Sequence, residues 1–303
     1  MFRLTFKNLL ANKIRFALTT FGVMLAVSFV VSAFVLGDGL RSTFTTVSEE
    51  VTAGVDLEVR NVADLGDAAP LSPDTVSAVA AVDGVADAVA SIEAADNAVR
   101  PIKANGESIS TTGPPQLAFN WIDNEALSPF TLVDGAPPEI GQFVMDLDSA
   151  AQHNFIIGNT YEVMVPAGRV DLTLSGTSSF GADNSTLGAV LMQINTDQAS
   201  DLFGIDGIDS VAVQIAEGAD ISEVRADVAA AVPNAEVVDN ATVLDETTSE
   251  FTAEINIVGN ILLGFGGVAL FVSIFIIYNT FAIVLGQRSR ELALLRAVGA
   301  DPK

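Results

Sequence analysis

The fold is decided by residues 255–287, INIVGNILLGFGGVALFVSIFIIYNTFAIVLGQ, which contain no charged side chain. About 20 helical residues cross a hydrocarbon core of about 30 Å, so this stretch is long enough to span a bilayer. A helix is expected because backbone groups in lipid must form their hydrogen bonds within the segment. A buried core helix is the alternative, but such helices rarely run this far without a charge. We therefore predict a transmembrane helix over residues 255–286.

A second charge-free stretch, FALTTFGVMLAVSFVVSAFVL, covers residues 16–36. Its 21 residues would form a helix of roughly 31 Å, again close to the thickness of the hydrocarbon core. A cleaved signal peptide is the alternative, since Val31-Ser32-Ala33 is an acceptable cleavage pattern. The apolar region of a signal peptide is usually about 7–15 residues, however, and this one is longer. The first transmembrane helix is therefore predicted over residues 16–37.

The basic residues predict how the chain is oriented. Residues 1–15 contain four Lys or Arg and no acid, and four more follow the second span: Arg288, Arg290, Arg296 and Lys303. Because basic flanks stay in the cytoplasm, both ends are predicted to be cytoplasmic and residues 38–254 extracytoplasmic. Those residues carry six basic and 36 acidic side chains, a net charge of −30. Such a domain repels nucleic acid, so we expect no nucleic-acid partner.

The extracytoplasmic domain is predicted to be α+β. Apolar alternation indicates strands, and N-cap and apolar-face patterns indicate helices. The predicted strands cover residues 55–59, 142–147, 160–165, 170–174, 189–194, 210–215 and 236–238, and the predicted helices cover 72–82, 196–203 and 220–232. Residues 105–138 are rich in Gly, Pro and Ser, and they are predicted to be an irregular connection between two subdomains.

Signatures of catalysis are missing from the sequence. No Lys follows a Gly, so there is no phosphate-binding loop of the Gly-Lys-Ser/Thr type. The chain has no cysteine and one histidine, His153, which excludes a cysteine nucleophile and a two-histidine zinc site. The acidic pairs at 146/148 and 206/209 lack the ligand spacing of a calcium loop. We predict no catalytic, cofactor or metal site, and hence no enzyme activity in this chain.

The two cytoplasmic ends have their own patterns. Residues 1–15 form an amphipathic segment with an apolar arc that includes Phe2 and Phe6, or else an ordinary charged flank. Residues 287–303 are predicted to form a helix of about three turns followed by a loop, with Gly299 at the helix end. Leu292 and Leu295 share one face of that helix. This face either contacts a partner or packs on the chain's own membrane helices, and the pattern favours neither.

The second span and the helix after it carry a family resemblance. Tyr278-Asn279-Thr280-Phe281, Gln287-Arg288-Ser289-Arg290-Glu291 and Leu294-Leu295-Arg296-Ala297-Val298-Gly299-Ala300 resemble the FtsX-like/MacB-like permease family of ABC transporters. Gly54-Val55-Asp56-Leu57, Gly135-Ala136-Pro137 and Gly158-Asn159-Thr160 resemble, more loosely, turns of a MacB-like periplasmic core domain. Asn159 replaces the Asp that is usual in the last of these turns.

The resemblance implies a permease of four or more spans in the cell membrane, of which this chain is a fragment. It also implies a dimer or pseudo-dimer surrounded by membrane lipid, and a separate ATP-binding subunit that hydrolyses ATP. The helix within residues 287–303 would then be a coupling helix that contacts this ATPase. Its candidate contact residues are Arg288, Arg290, Glu291, Leu292, Leu295 and Arg296.

Three functions are compatible with these observations. The first is a permease subunit that transmits ATP-driven motion to the outer domain for export or extraction of a substrate. The second is an FtsX-like regulator that activates an extracellular partner such as a cell-wall hydrolase. The third is a two-span sensor, which should continue into a signalling helix and not into the Gly299-Ala300-Asp301-Pro302 turn. The size of the outer domain, about 217 residues, favours the first function.

Overall fold

Both charge-free stretches form parts of long helices in the structure, which is a computed structural model. Helix α1 covers Lys13–Val51 and the last helix, α6, covers Asn240–Ala297. Both are long and apolar enough to cross a membrane. The structure describes residues 13–52, 54–61, 69–109, 114–181, 184, 186 and 188–297. The predicted segment over residues 1–15 therefore lies almost entirely outside the described residues.

Between the long helices, the described part of the chain forms strands and four short helices. The strands are β1 Leu57–Arg60, β2 Val85–Ser91, β3 Arg100–Pro101, β4 Gln116–Asn120, β5 Phe130–Gly135, β6 Gln142–Asp146, β7 Thr160–Val165, β8 Gly168–Phe180, β9 Val190–Ile194, β10 Ser210–Ile215 and β11 Glu236–Asp239. The short helices are α2 Asp74–Ala80, α3 Leu147–His153, α4 Thr196–Phe203 and α5 Ile221–Ala231.

The strands form two sheets. The first has four antiparallel strands in the order β11-β1-β10-β2. The second has seven strands in the order β3-β7-β8-β6-β9-β4, and β5 pairs with β8 in addition. The second sheet is mixed, since β4 runs parallel to β9 and β6 runs parallel to β8. This architecture agrees with the predicted α+β class.

One large buried cluster of apolar side chains contains residues of both sheets. It includes Leu57 and Val213 from the first sheet and Phe143 and Ile194 from the second, all of them fully buried. Helices α2 and α5 contribute buried valines such as Val79 to the same cluster. Burial of this much apolar surface in one shared core is sufficient to stabilise the outer domain without disulfides.

The predicted helices over 196–203 and 220–232 are confirmed as α4 and α5. The prediction that residues 105–138 are an irregular connection is wrong for two stretches. Residues 116–120 and 130–135 form β4 and β5, two strands of the seven-stranded sheet. Helix α3 is a further difference: residues 142–147 are predicted to be one strand, whereas the strand ends at Asp146 and Leu147 begins the helix.

The chain divides into two compact units. The membrane unit comprises residues 1–43 and 249–303, which include the apolar parts of α1 and α6. The outer unit, residues 44–248, contains both sheets, the four short helices, the last residues of α1 and the first residues of α6. Helix α1 continues past the predicted span, which ends at residue 37, as far as Val51, and α6 begins at Asn240, before the predicted start of the second span.

Candidate functional site

Within the membrane unit, α1 and α6 pack through small side chains. Gly22 lies so close to Ser273 that a Cβ atom at Gly22 would collide with the Ser273 hydroxyl. Ser273 is only 1% exposed, and its Oγ donates a hydrogen bond to the Ala269 carbonyl at 2.7 Å. Small residues allow close approach of helix backbones, which is the usual way that transmembrane helices associate.

The same contact line continues toward the outer unit. A Cβ atom at Gly266 would lie 3.2 Å from Val30 Cγ2, and the Phe29 and Phe265 rings are 6.0 Å apart between centroids. Ala33 and Ile255 are buried as well. The remaining faces of both helices expose large apolar side chains, as a lipid-facing or helix-facing surface requires.

The predicted coupling helix is the final part of α6, with no break at residue 286 or 287 in the described chain. Arg290 is exposed. For the other candidate contact residues, Arg288, Glu291, Leu292, Leu295 and Arg296, the backbone is helical and the side chains lie outside the described residues. Gly299 and the loop after it also lie outside the described residues, so the predicted helix end is not described.

In the outer unit, the end of α1 and the start of α6 are joined by hydrogen bonds. Asn240, the first residue of α6, donates its side-chain amide to the Thr52 carbonyl at 3.0 Å and its backbone N–H to the Asp56 carbonyl at 3.1 Å. The strands that continue these helices, β1 and β11, pair with each other from Leu57↔Asp239 to Arg60↔Glu236. The two helices therefore connect to neighbouring, directly paired strands.

An ionic cluster lies beside this junction. Arg60 on β1 contacts Glu236 on β11 at 3.3 Å and Glu246 on α6 at 2.6 Å. The sequence reasoning did not single out Arg60 or Asn240. The sequence contains an indication for Arg60, because it is one of only six basic residues among 36 acidic ones in residues 38–254. A basic side chain in such surroundings is expected to form ion pairs with its acidic neighbours.

Two acidic residues of the pairs at 146/148 and 206/209, Asp146 and Asp209, accept backbone hydrogen bonds. Asp146 is buried: its Oδ1 accepts the Ser149 N–H at 2.8 Å and its Oδ2 accepts the Leu191 N–H at 2.9 Å. It therefore caps α3 and connects β6 to β9, and burial raises its pKa. Among the described residues, no three His, Cys, Asp or Glu side chains come together as metal ligands would.

A second carboxyl group is perturbed where the two sheets meet. Residue Glu93 follows β2 and forms an isolated bridge with Phe119 of β4, and its N–H donates to Asp209 Oδ2 at 2.7 Å. Part of its side chain is exposed to solvent, but neighbouring protein atoms displace water from around its carboxyl group. This desolvation, together with the charges of Asp209 and Asp96, raises the pKa of Glu93 to about 7. His153 is at the last turn of α3, away from this group in the chain order.

The turn residues that carried the family resemblance have clear packing roles. Gly54 lies against the Ala126 carbonyl, where a Cβ atom would collide with the backbone. The side chain of Asp56 accepts the Ile215 N–H at 2.7 Å and so ties the entry to β1 onto β10. Gly158 donates its N–H to the Leu174 carbonyl at 2.8 Å, and the Asn159 carbonyl accepts the Leu174 N–H at 3.0 Å. The Asn159 bond uses the backbone, so it is independent of the Asp-to-Asn difference.

Comparison with known protein families identifies this arrangement. Residues 16–231, more than half of the chain, match the MacB-like periplasmic core domain. The chain belongs to the MacB-like permease family. Residues 263–303 match the FtsX-like permease C-terminal region, which includes the final part of α6. Family membership confirms the resemblance seen in the sequence. It also confirms an extracytoplasmic α+β domain between two membrane helices.

Individual relatives of this MacB-like chain are distant. It is 22% identical over 315 residues to the macrolide export ATP-binding/permease protein MacB of Nitrobacter winogradskyi, an alignment that covers 98% of this chain and 47% of that protein. The chain thus spans about half the length of this relative.

Two solved structures show a partial similarity to this chain. The periplasmic region of MacB from Actinobacillus actinomycetemcomitans has a TM-score of 0.49 and 10% identity, covering 66% of this chain and 97% of that one. A domain of a putative permease from Porphyromonas gingivalis has a TM-score of 0.41 and 12% identity, covering 60% and 86%.

Proposed function

We propose that this chain is the permease subunit of an ABC transporter, and that it transmits ATP-driven motion of a separate ATPase to its outer domain for export or extraction of a substrate. The observation that carries the proposal is the FtsX-like region at residues 263–303, whose described part, up to Ala297, belongs to the same continuous helix that begins in the outer unit at Asn240. A continuous helix can carry a displacement along its length, because its hydrogen bonds resist bending and stretching.

The proposed input is the cytoplasmic end of α6. On this proposal residues 287–303 contact the ATP-binding subunit, and the contacts include Arg288, Arg290, Glu291, Leu292, Leu295 and Arg296. The absence of a phosphate-binding loop from the sequence supports the division of labour, since hydrolysis would be delegated to the partner. The permease itself would have further spans, act as a dimer or pseudo-dimer, and keep both of the present chain ends in the cytoplasm.

The proposed output is the junction at β1 and β11. A displacement of α1 or α6 would reach the first sheet directly, because each helix continues into a strand of that sheet. The relative named above is described as a macrolide exporter. This supports export or extraction, and the regulator of an extracellular hydrolase, the alternative function, is not favoured.

The test is a charge placed on the predicted contact face. Leu295→Asp in the full-length protein should abolish co-purification with the ATP-binding subunit, because a carboxylate in an apolar helix-in-groove contact loses its hydration without a partner. The matched control is Leu294→Asp, which makes the same change one residue away on an exposed position, 68% exposed, and about 100° around the helix. The control should co-purify as the wild type does.

Membrane insertion of both variants is checked by the fraction recovered after carbonate extraction. If Leu295→Asp inserts normally and still co-purifies with the ATPase at the wild-type ratio, the coupling-helix assignment is wrong. If both variants lose the ATPase equally, the contact is not confined to the predicted face.

A further inference from the structure

A small polar pocket lies between α1 and α6 inside the membrane unit, at the end of the helices that leads into the outer domain. Its volume is about 190 Å³. Four polar side chains line it, Asp38 and Arg41 on α1 and Asn256 and Asn260 on α6, together with apolar residues such as Phe34. Arg41 Nη2 donates to Asn256 Oδ1 at 3.4 Å, so the guanidinium group is held toward α6.

An apolar groove lies on the same side of the helix pair. Its volume is about 530 Å³, and it is lined by Thr20, Val23, Met24, Val27, Ser28 and Ile277. Asp38 follows Met24, and Arg41 follows Val27, by about four helical turns, which returns to nearly the same side of α1. The same spacing on α6 relates Ile277 to Leu263, which lines the polar pocket. Pocket and groove therefore follow one line.

The distance between them matches the depth of one lipid leaflet. The helix from Asp38 to Val27 rises about 17 Å, and half of a hydrocarbon core is about 15 Å. Asp38 is the first charged residue after the span, so the pocket is at the headgroup level of the extracytoplasmic leaflet. The groove then begins where the acyl chains of a lipid bound in the pocket would reach.

We propose that the pocket binds a zwitterionic phospholipid whose headgroup carries an ammonium group, such as phosphatidylethanolamine. Arg41 and Asn256 bind the phosphate, because guanidinium and amide donors suit phosphate oxygens, and Asp38 binds the ammonium group. The acyl chains lie along exposed apolar side chains between the pocket and the groove, such as Val30 and Val31, and end near the start of the groove. A cation and an anion within one helical turn match a headgroup with both charges better than one with a single charge. This inference is independent of the proposed ATPase contact.

The experiment measures which lipids stay bound. The full-length protein is reconstituted in vesicles of equal parts phosphatidylethanolamine and phosphatidylglycerol, extracted in mild detergent, and weighed with its bound lipids by native mass spectrometry. The wild type should retain phosphatidylethanolamine in preference to phosphatidylglycerol. Arg41→Gln should reduce retention of both lipids at least tenfold, and Asp38→Asn should reduce the preference between them to about one. Arg41→Lys keeps the positive charge but loses the paired N–H donors of the guanidinium group, so it should retain an intermediate amount of both lipids.

Matched controls are Arg169→Gln and Glu49→Gln, which remove one charge of each sign outside the pocket and should leave retention unchanged. Equal retention by the wild type and Arg41→Gln, or an unchanged preference in Asp38→Asn, would overturn the proposal. Preferential retention of phosphatidylglycerol by the wild type would overturn it too. Phe34→Cys adds a thiol to a segment without cysteine. Efficient disulfide-linked dimers of that variant would show that a second copy, and not a lipid, covers the pocket.

Discussion

The contact between Gly22 and Ser273 makes a prediction about how the two membrane helices hold together. Gly22→Ala adds one methyl group, and that carbon would collide with a single atom, the Ser273 Oγ. The next atoms, Ser273 Cβ at 3.4 Å and Cα at 3.8 Å, are at ordinary contact distance. The hydroxyl is held by its bond to the Ala269 carbonyl, and Ser273 is buried, so it cannot simply turn toward lipid.

The loss of free energy of helix association in Gly22→Ala can be estimated from the two ways in which the collision can be relieved. Either the helices move apart, which for an overpacked contact costs about 1–3 kcal/mol, or the hydroxyl turns and loses its bond to the Ala269 carbonyl, which is worth about 0.5–1.5 kcal/mol. We expect Gly22→Ala to weaken the helix pair by about 1–2 kcal/mol. Ser273→Ala removes the colliding atom, so the double variant should be within about 0.5 kcal/mol of Ser273→Ala alone.

The assay uses cysteines at positions 29 and 265, where the two phenylalanine rings meet. The fraction of protein cross-linked by a short bifunctional thiol reagent is measured as sodium dodecyl sulfate is titrated into mixed micelles. The detergent fraction at which half of the cross-linking is lost reports the separation of the helices. Gly267→Ala is the control, because the same methyl group there meets no atom within 4 Å. An unchanged midpoint in Gly22→Ala, or a double variant as weak as Gly22→Ala, would refute this account of the contact.

Three further predictions concern the outer unit, whose unfolding in urea can be followed by the fluorescence of the single tryptophan of the chain, Trp121. Because the folded-state pKa of Glu93 is raised from 4.5 to about 7, its contribution to stability is full below pH 4.5 and is lost as the pH rises through 7. Glu93→Gln should therefore reduce the loss of unfolding free energy between pH 5 and pH 8 by about 1 kcal/mol, a value that allows for the partial exposure of the side chain. An unchanged pH dependence would exclude Glu93 as a source of that loss. Arg60→Ala should lower the free energy of unfolding by about 1 kcal/mol because it removes two ionic contacts at once. Arg169→Ala removes one contact, to Glu162, that is equally short but more exposed, so it should lower that free energy by less than about 0.5 kcal/mol. Equal effects of the two variants would contradict a network effect at Arg60. Gly54→Ala should cost at least about 2 kcal/mol because the new Cβ atom meets the Ala126 backbone carbonyl, and a near-neutral result would show that this turn can move.

Elements with a local signal could be predicted from the sequence. Helix α4 was predicted over its full observed length because both of its ends are marked nearby in the chain. The Asn195 side chain accepts the Asp197 N–H at the start, and Gly204 adopts the left-handed conformation at the end, with φ 74°. The membrane helices were predictable for a similar reason, since lack of charge over a bilayer length is a property of the segment alone.

Elements that depend on distant partners could not be predicted. Strand β5 approaches β8 so closely that Cβ atoms at Gly135 and at Gly176 would both collide with the opposite backbone. Gly135 appears in the sequence as part of a turn, and only the pairing of β5 with β8, about 40 residues away, shows that both glycines allow the two backbones to approach closely. The helix junction has the same character, because Asn240 and Thr52 are brought together by the sheet and not by any pattern along the chain.

That junction also limits how motion can pass through this permease. If α1 and α6 moved apart at the outer unit, the β1–β11 ladder, four residue pairs from Leu57↔Asp239 to Arg60↔Glu236, would have to open. If one helix slid by one residue, the alternation of β1 would place Leu57 and Val59, both fully buried, on the wrong face of the sheet. A tilt of the two helices together requires neither change. Within the proposed function, the first sheet therefore receives a common movement of the helix pair, and Arg60 stabilises the connection through which both helices act.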